Sequence, residues 1–358
     1  MTSSRSDGAS RRHGTAAPTV SVLITAYNRA DELRATLRAL RHQDYPALEL
    51  IVVDDASREA LEPVVREEWP GARFWRNPRN LGYIVNRSRA MARATGAYLL
   101  TLDDDSHPVD ADAISRAVAR MEREPELGVI AFRVHEGLEP PVLSAPVPPE
   151  QYTYAFIGCG VLIRASVASE VGGYREYFEY YKEEAEYALR VLDRGHRILY
   201  VPELVVHHRL SPVGRSAARI AAYSVRNSIW TVLLDLRAAQ AAIEAPWKAL
   251  IGAIEVARQG EVRWLAWAMA STVRGLPRVL RDRAPISRAA TRTYRALRYR
   301  EIYTLDALRD AHPPTWRQRW HWFRTVWFQR RRPRAVWDRR EGATGVGTWT
   351  TGTRPPRV

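Results

Sequence analysis

Two apolar runs that end in carboxylates restrict the fold of this chain more than any other part of its sequence. Leu48 to Val53 runs into Asp54-Asp55, and Tyr98 to Leu102 runs into Asp103-Asp104-Asp105. Near-continuous apolar runs of this length are typical of strands buried on both faces of a parallel sheet. Three adjacent carboxylates cannot be buried without a cation nearby. The second run therefore predicts either a divalent ion that bridges a diphosphate or a solvated turn that caps the next helix.

Helical patterns separate these runs and further apolar segments. We expect strands at Val20–Ile24, 72–75 and 127–134, with helices at 31–41, 61–68, 83–94 and 110–124. Alternation of this kind predicts βαβ units with a parallel sheet, and ligands of such sheets bind beyond the carboxyl ends of the strands. Because both acidic clusters follow strands, we expect them on one edge of the sheet, where they favour a single site.

The second half begins after a proline-rich connection at 139–149. An apolar segment at 156–164 contains Gly158 and Gly160, which allow close approach of the backbone. A helix is expected from Glu183 to Asp193, followed by strands at 197–201 and 204–207. From Ile220 the periodicity is helical.

Charge and cysteine content narrow the classes of partner. The formal charge is +14 over 358 residues and nearly all the basic residues are Arg, which favours nucleotide phosphates, nucleic acid or an acidic membrane surface. The single cysteine, Cys159, excludes an intramolecular disulfide and fits a reducing compartment. The polar start of the chain predicts no secretory signal, and no run of about 18 uncharged apolar residues indicates a transmembrane helix. We therefore expect a cytoplasmic protein.

The order of these motifs resembles the inverting, metal-dependent glycosyltransferases of family 2, which have the GT-A fold. The resemblance covers residues 18 to 210. It is carried by Val20-Ser-Val-Leu-Ile-Thr-Ala-Tyr-Asn28, Ile51-Val-Val-Asp-Asp-Ala-Ser57, Asn80-Leu-Gly82 with Asn86, Leu102-Asp-Asp-Asp105, Gly172-Gly-Tyr174, Glu183-Glu-Ala-Glu186 with Arg190, and Val201-Pro202 leading to His208. It implies an α/β GT-A fold: a mostly parallel, Rossmann-like sheet flanked by helices, with a C-terminal helical extension.

The extent of the resemblance, residues 18 to 210, sets the expected domain organisation. We expect a disordered N-terminus at 1–17, a GT-A domain at 18–212, a helical, basic, Trp-rich extension at 213–340 and a flexible tail at 341–358. Within the GT-A domain, the nucleotide half spans 18–135 and the acceptor half 150–212.

The resemblance also implies a binding site for a nucleotide-sugar donor. Its residues would be Thr25 (Pro in many relatives), Tyr27, Asp55, Asn80, Gly82, Asn86 and Asp103. Asp55 would accept a hydrogen bond from the base, whereas Asp54 is equally explained as a strand-end cap. Asn80 is also explained as an ordinary turn residue.

A metal site is implied at the same edge. Asp105 and Asp103 would hold Mn²⁺ or Mg²⁺, which would act as a Lewis acid on the diphosphate. His208 aligns with a family histidine near the metal, although a histidine at a strand end is as readily structural and His207 is its neighbour. Asp104 is expected to matter less.

The catalytic base is implied in the acidic pair that opens the helix at 183. Glu184 is the candidate and Glu183 the runner-up, although many relatives have Asp at position 184. The alternative is that these acids only complement the helix dipole. Glu186 and Arg190 are expected to form an i,i+4 pair.

The tryptophans of the helical extension allow two interpretations. Trp230, Trp247, Trp264 and Trp267 either pack on the transferase core or lie in a membrane interface, and packing is favoured slightly. For 316–334, where Trp alternates with Arg, we expect peripheral contact with the inner face of the cell membrane. Stacking on nucleic acid is not expected, because no nucleic-acid module precedes this segment.

The sequence thus predicts transfer of a sugar from a nucleoside-diphosphate sugar to a hydroxyl of a glycan, a glycolipid or lipid-linked acceptor, or a small molecule. One alternative is a nucleotidyltransferase, but Thr25 to Arg29 lacks the Gly of a phosphate loop. Another is a non-catalytic, membrane-attached protein that retains the fold, which would predict a degraded acidic set.

Overall fold

The computed structural model describes residues 17–142, 147–210, 216–258, 262–312 and 314–328. The predictions for 1–16 and 341–358 lie outside these ranges, as do residues 329–334 of the expected membrane segment. The strands are β1 (Val20–Ala26), β2 (Leu48–Asp54), β3 (Arg73–Arg76), β4 (Tyr98–Asp103), β5 (Ser106–Pro108), β6 (Leu127–Glu136), β7 (Gln151–Tyr152), β8 (Val161–Arg164) and β9 (Arg197–His208). The helices are α1 (Ala30–Leu40), α2 (Glu62–Glu68), α3 (Tyr83–Arg93), α4 (Ala113–Arg123), α5 (Ala165–Val171), α6 (Glu183–Asp193), α7 (Ala217–Asp235), α8 (Ala238–Arg258), α9 (Val262–Arg281), α10 (Arg288–Tyr299), α11 (Leu305–Arg309) and α12 (Trp316–Phe328).

The described strands form one mixed sheet in the order β3-β2-β1-β4-β8-β6-β9-β5, with β7 paired to β9. Pairing is parallel from β3 to β4 and between β6 and β9, as the sequence predicted for most of the sheet. β8 runs antiparallel to both of its neighbours, and β5 and β7 run antiparallel to β9. The sheet therefore combines a parallel half, which resembles a Rossmann fold, with an antiparallel centre and far edge.

The expected pair of strands after α6 is one continuous strand with a bulge. Val201 lies opposite Phe132 and Val205 lies opposite Arg133, so three residues of β9 have no counterpart on β6. The first of them is Pro202, which has no N–H to donate and is tolerated in a sheet at such a bulge. The bulge lets β9 continue to His208, at the edge where the acidic residues lie.

The C-terminal helices pack on the sheet rather than standing apart from it. Trp230 and Leu234 of α7 and Leu297 of α10 belong to the same buried cluster as the strands. Trp264 and Trp267 of α9 are buried with α7 in a second cluster. The packing interpretation is therefore confirmed for these three tryptophans, whereas Trp247 is 42% exposed. None of the helices within the described ranges has the length and apolar character needed to cross a bilayer.

Candidate active site

Parallel pairing brings the two acidic clusters to one edge of the sheet. Thr25 lies opposite Asp103 in the β1–β4 ladder, and Ala26 lies opposite Asp54 in the β1–β2 ladder. Asp55 follows β2 directly, and Asp104 and Asp105 follow β4. The single acidic edge predicted from the sequence is confirmed.

Asp55 organises the segment before α3. Its carboxylate accepts hydrogen bonds from the backbone N–H of Leu81 at 2.8 Å and of Gly82 at 2.9 Å. It also accepts one from Asn77 Nδ2 at 2.9 Å, and the same nitrogen donates to Asn86 Oδ1 at 2.6 Å. Gly82 has φ of 86°, a conformation that favours glycine. Asp55, Gly82 and Asn86 are thus joined in one network.

The remaining predicted donor residues lie around this network with different exposure. The Tyr27 side chain is 42% exposed beside the acidic edge, and Thr25 is buried. Asn80 is exposed at the tip of the segment. Asp54 is fully buried, accepts from the Ser57 N–H at 2.9 Å and pairs with Arg76 at 3.0 Å. The contacts of Asp54 match the interpretation as a strand-end cap.

Arg29 neutralises the second and third carboxylates of the triplet. Its guanidinium lies 2.5 Å from Asp104 Oδ1 and 2.7 Å from Asp105 Oδ2, and both Asp side chains are fully buried. Asp104 also accepts the N–H of Tyr27 at 3.1 Å, which ties the end of β4 to the end of β1. Burial, opposed by Arg29, raises the pKa of Asp104 to about 7. Asp104 therefore has a structural role that the sequence did not predict.

Arg87 neutralises the first carboxylate and reaches the acceptor half. This buried side chain on α3 donates from Nη2 to Asp103 Oδ1 at 2.7 Å, and its Nη1 lies 3.6 Å from Glu183 Oε1. A Cβ at Gly158 would lie 2.1 Å from Arg87 Nη1 and 3.1 Å from Glu184 Oε1. The prediction that Gly158 permits close approach is confirmed, because the guanidinium occupies the space of a side chain.

A group of possible metal ligands adjoins this edge. Ligand atoms of Asp103, Cys159 and His208 all lie within 4.8 Å of one another. His208 Nε2 is also 3.1 Å from Asp105 Oδ1, while its Nδ1 is 3.6 Å from Cys159 Sγ. Carboxylate and imidazole donors at one strand edge fit a divalent metal ion. Asp103 is the more accessible of the two predicted carboxylate ligands, since its side chain is 26% exposed and that of Asp105 is fully buried.

The two predicted base residues differ in their surroundings. Glu183 is fully buried and accepts a hydrogen bond from the Tyr83 hydroxyl at 3.1 Å. Burial first, and then the charge of Glu184, raise the pKa of Glu183 well above its ordinary value. Glu184 is half-buried and accepts the N–H of Gly158 at 3.2 Å. Glu184 is thus the more exposed member of the pair.

Glu186 is fully buried and is held by two arginines. Its carboxylate accepts from Arg190 at 2.7 Å, which confirms the expected i,i+4 pair, and from Arg175 at 2.6 Å. His207 likewise has a structural role, since its Nε2 lies 2.8 Å from the carbonyl oxygen of Gly137.

Arg29, Arg87 and Asn77 are the site residues that the sequence interpretation missed. Arg29 directly follows the motif that ends at Asn28 and Arg87 directly follows Asn86, and three consecutive carboxylates require cations. The sequence interpretation considered only a metal ion as the cation that neutralises these carboxylates. It did not consider Arg29 or Arg87, which directly follow neighbouring motifs.

Comparison with known proteins agrees with this arrangement. Residues 21–166 match the family model described as Glycosyl transferase family 2. The chain is 25% identical over 224 residues to the O-antigen biosynthesis protein RfbC of Myxococcus xanthus, which covers 53% of this chain and 17% of that protein. The chain thus spans less than a fifth of this curated relative.

Two solved structures share the fold. The mannosyltransferase PcManGT from Pyrobaculum calidifontis, in complex with GDP-Man and Mn²⁺, has a TM-score of 0.51 and 18% identity over 72% of this chain and 75% of its own. S. aureus TarS 1-349, in complex with UDP-GlcNAc, has a TM-score of 0.51 and 15% identity over 87% of this chain and 91% of its own. The mixed sheet with its flanking helices is the GT-A fold.

Proposed function

Because residues 21–166 match the family model described as Glycosyl transferase family 2, we propose that the chain is an inverting glycosyltransferase of the EC 2.4 class. It moves a hexosyl or deoxyhexosyl group from a nucleoside-diphosphate sugar to an acceptor hydroxyl. One observation carries the proposal: Arg87 touches Asp103 at the end of β4 and lies next to Glu183 at the start of α6. A donor bound at the acidic edge would therefore lie beside the acid pair.

In this proposal the donor lies across the ends of β1, β2 and β4. Tyr27 offers an exposed ring on which the base of the nucleotide can stack. Asp55 holds the segment with Gly82 and Asn86 that would border the same base. Thr25, Asn80 and Asp103 complete the proposed set. The structural relatives support this location, since PcManGT was solved with GDP-Man and TarS with UDP-GlcNAc.

Asp103, Asp105 and His208 would hold the divalent metal ion, Mn²⁺ or Mg²⁺. A bound ion at this place would screen the diphosphate and stabilise the charge of the departing nucleotide. Arg29 lies against Asp105, so this chain's own cation shares in neutralising the edge. The Mn²⁺ in the PcManGT complex supports the choice of metal.

Glu184 is the proposed base, with Glu183 as the runner-up. Inversion needs a carboxylate that takes the proton of the acceptor hydroxyl as it attacks the sugar from the face opposite the nucleotide. Glu184 is the accessible member of the pair, and the N–H of Gly158 orients its carboxylate. Glu183 is fully buried and its carboxylate is bound by the Tyr83 hydroxyl, so it is less accessible to an acceptor hydroxyl.

The acceptor is proposed from the relatives and not from the site. RfbC is described as an O-antigen biosynthesis protein, so we propose a cell-envelope glycan, with a lipid-linked or small-molecule acceptor as the other classes. The family match weighs against a nucleotidyltransferase, and the intact set Asp55, Asp103, Asp105 and Glu184 weighs against a non-catalytic protein. A GT-A domain at 18–212 with an extension at 213–340 is part of the same proposal.

Peripheral attachment to the inner face of the cell membrane belongs to this proposal. On α12, Trp316 and Trp320 are 71% and 53% exposed, four residues apart and among arginines. On α8, Ile243, Trp247 and Leu250 are 75%, 42% and 53% exposed and share one face of the helix. Exposed aliphatic and Trp side chains near Arg are typical of helices that lie in the membrane interface.

Flotation with vesicles of phosphatidylcholine and phosphatidylglycerol tests the attachment. Two test proteins should float less than the full chain. One ends at residue 312, and the other carries Ile243→Glu, Trp247→Glu and Leu250→Glu. Leu138→Glu with Val142→Glu, which alters two exposed apolar residues outside the helices, is the control. Unchanged flotation of both test proteins would reject membrane contact through these surfaces.

A panel of UDP-, GDP- and dTDP-sugars with Mn²⁺ tests the enzymatic function. The preferred donor should raise the melting temperature, because it binds only the folded chain. At a donor concentration of a hundred times Kd, the free energy of unfolding increases by about 2.7 kcal/mol. The same donor should be hydrolysed slowly with Mn²⁺ or Mg²⁺ and not with EDTA. Absence of both effects across the panel would reject the proposal.

A further inference from the structure

The loop that leads into α6 holds three non-glycine residues at positive φ. The angle is 60° at Glu179, 63° at Tyr181 and 70° at Lys182. A side chain with a Cβ disfavours this region, so such residues persist only where their surroundings hold them. Because the loop ends at Glu183, its conformation decides where α6 begins and where the acid pair lies.

Asn227 of α7 holds the loop by its backbone carbonyls. Its Nδ2 donates to the carbonyl oxygens of Phe178 at 2.9 Å, Tyr180 at 2.9 Å and Tyr181 at 2.6 Å. Asn227 is fully buried, and Arg226 Nε donates to its Oδ1 at 3.0 Å. That bond fixes the orientation of the amide, so the nitrogen faces the loop.

Arg226 holds the same loop at a second point. Its Nη2 donates to the Phe178 carbonyl at 2.6 Å, and its Nη1 pairs with Glu179 at 2.7 Å. The guanidinium lies 4.6 Å from the ring centre of Tyr223 and 4.4 Å from that of Trp230. Contact with two aromatic rings and 2% exposure leave the side chain little freedom to move.

The donor half also contacts the loop, through Tyr83 of α3. The Tyr83 hydroxyl accepts the N–H of Tyr181 at 2.9 Å and donates to Glu183 at 3.1 Å. The loop is thus held by both α7 and α3. It leads into the acid pair, of which Glu184 accepts the N–H of Gly158.

We propose that Arg226 and Asn227 are positioning residues for sugar transfer: they hold the loop at 179–182 and thereby place Glu184 beside the donor edge. This inference rests on the proposed role of Glu184 as the base. It makes the helical extension part of the active site's framework, because α7 lies within the extension proposed at 213–340.

Hydrogen exchange of the full-length chain tests the hold on the loop without any substrate. In Asn227→Ala the backbone amides of 180–184 should exchange about tenfold faster or more, because the loop lacks the hydrogen bonds from Asn227 Nδ2 to its carbonyl oxygens and its local opening costs less free energy. Thr231→Val is the matched control, because Thr231 Oγ1 donates within α7, to the Asn227 carbonyl. If Asn227→Ala does not fold, Arg226→Lys is the second test variant. It keeps the positive charge but lacks the guanidinium that binds the loop. Wild-type exchange in the folded test variants would overturn the proposal.

Turnover separates positioning from a merely structural role. With Mn²⁺ and either UDP-GlcNAc or GDP-mannose, Asn227→Ala should lose about a hundredfold in kcat while the donor KM changes little. Adding Lys182→Gly should recover part of the loss, because glycine adopts φ of 70° without a Cβ penalty. Faster exchange with wild-type kcat, or no recovery with Lys182→Gly, would overturn the role in catalysis. If the wild-type chain turns over no donor, the exchange result still decides the hold, and only the proposed function fails.

Discussion

Arg87 Nη2 lies 2.7 Å from Asp103 Oδ1, so a buried guanidinium on α3 is bound to the carboxylate that ends β4. The other terminal nitrogen of Arg87 is 3.6 Å from Glu183, at the start of α6. One side chain therefore links the proposed donor edge to the acid pair Glu183-Glu184 at the start of α6. Changes at Arg87 should affect both stability and chemistry.

Replacing Arg87 tests this bridge. Arg87→Met leaves Asp103 and Glu183 without their shared cation, and breaking a buried ion pair on one side costs about 3 kcal/mol of unfolding free energy. Urea denaturation measures the loss. Arg194→Met is the control, because Arg194 and Glu170 form an exposed pair at 3.8 Å that is worth less than about 1 kcal/mol. Similar losses in the two variants would contradict the bridge.

Gly158 tests the close approach of Arg87 and Glu184. A methyl group at this position would lie 2.1 Å from Arg87 Nη1, so Gly158→Ala should displace the guanidinium and lower kcat by about a hundredfold. Gly71→Ala should leave kcat unchanged, since no atom lies within 4 Å of the added Cβ. Full activity of Gly158→Ala, measured as donor hydrolysis with Mn²⁺, would show that the site tolerates movement of Arg87.

Asp235, at the end of α7, should make stability depend on pH. Its side chain is fully buried, and neither carboxylate oxygen has a hydrogen-bond partner among the described residues. Burial first, and then the charge of Glu186, raise the pKa of Asp235 well above its ordinary value of 3.8. The folded chain keeps this proton at pH values where the unfolded chain releases it. Stability therefore falls as pH rises above 3.8 and levels off above the folded pKa.

Asp235→Asn removes this titration while keeping a neutral side chain of the same shape. The melting temperature of the variant, relative to the wild-type chain, should increase as pH is raised from about 4 to about 8. Asp306→Asn, at a side chain that is 88% exposed, should give a constant difference over the same range. A pH-independent difference for Asp235→Asn would mean that Asp235 is ionised in the folded chain.

The parallel strands and their acidic edge could be predicted because both depend on local patterns. β2 and β4 are apolar runs, and parallel pairing with β1 places the residues after each run together. The helix expected at 31–41 is α1, and its leucines at 33, 37 and 40, which share one face, are all buried. β5 and β7 were not predicted, because strands of three and two residues exist only through their pairing with β9.

Ion pairs between distant segments could not be predicted in the same way. Arg29 and Asp105 are 76 residues apart, and nothing local to either residue specifies the contact. Asp104 was expected to matter less, yet it is the carboxylate that binds both Arg29 and the backbone of Tyr27. The loop at 179–182 lacks glycine, so its positive φ values left no sign in the sequence.

The configuration of the released sugar tests inversion by Glu184. An α-linked donor from the panel is incubated with Mn²⁺, and proton NMR follows the anomeric signals before the free sugar equilibrates. We expect the β-anomer to form first, and Glu184→Gln to slow its formation about a hundredfold or more. Initial release of the α-anomer, or a Glu184→Gln variant with the wild-type rate, would contradict inverting transfer with Glu184 as the base.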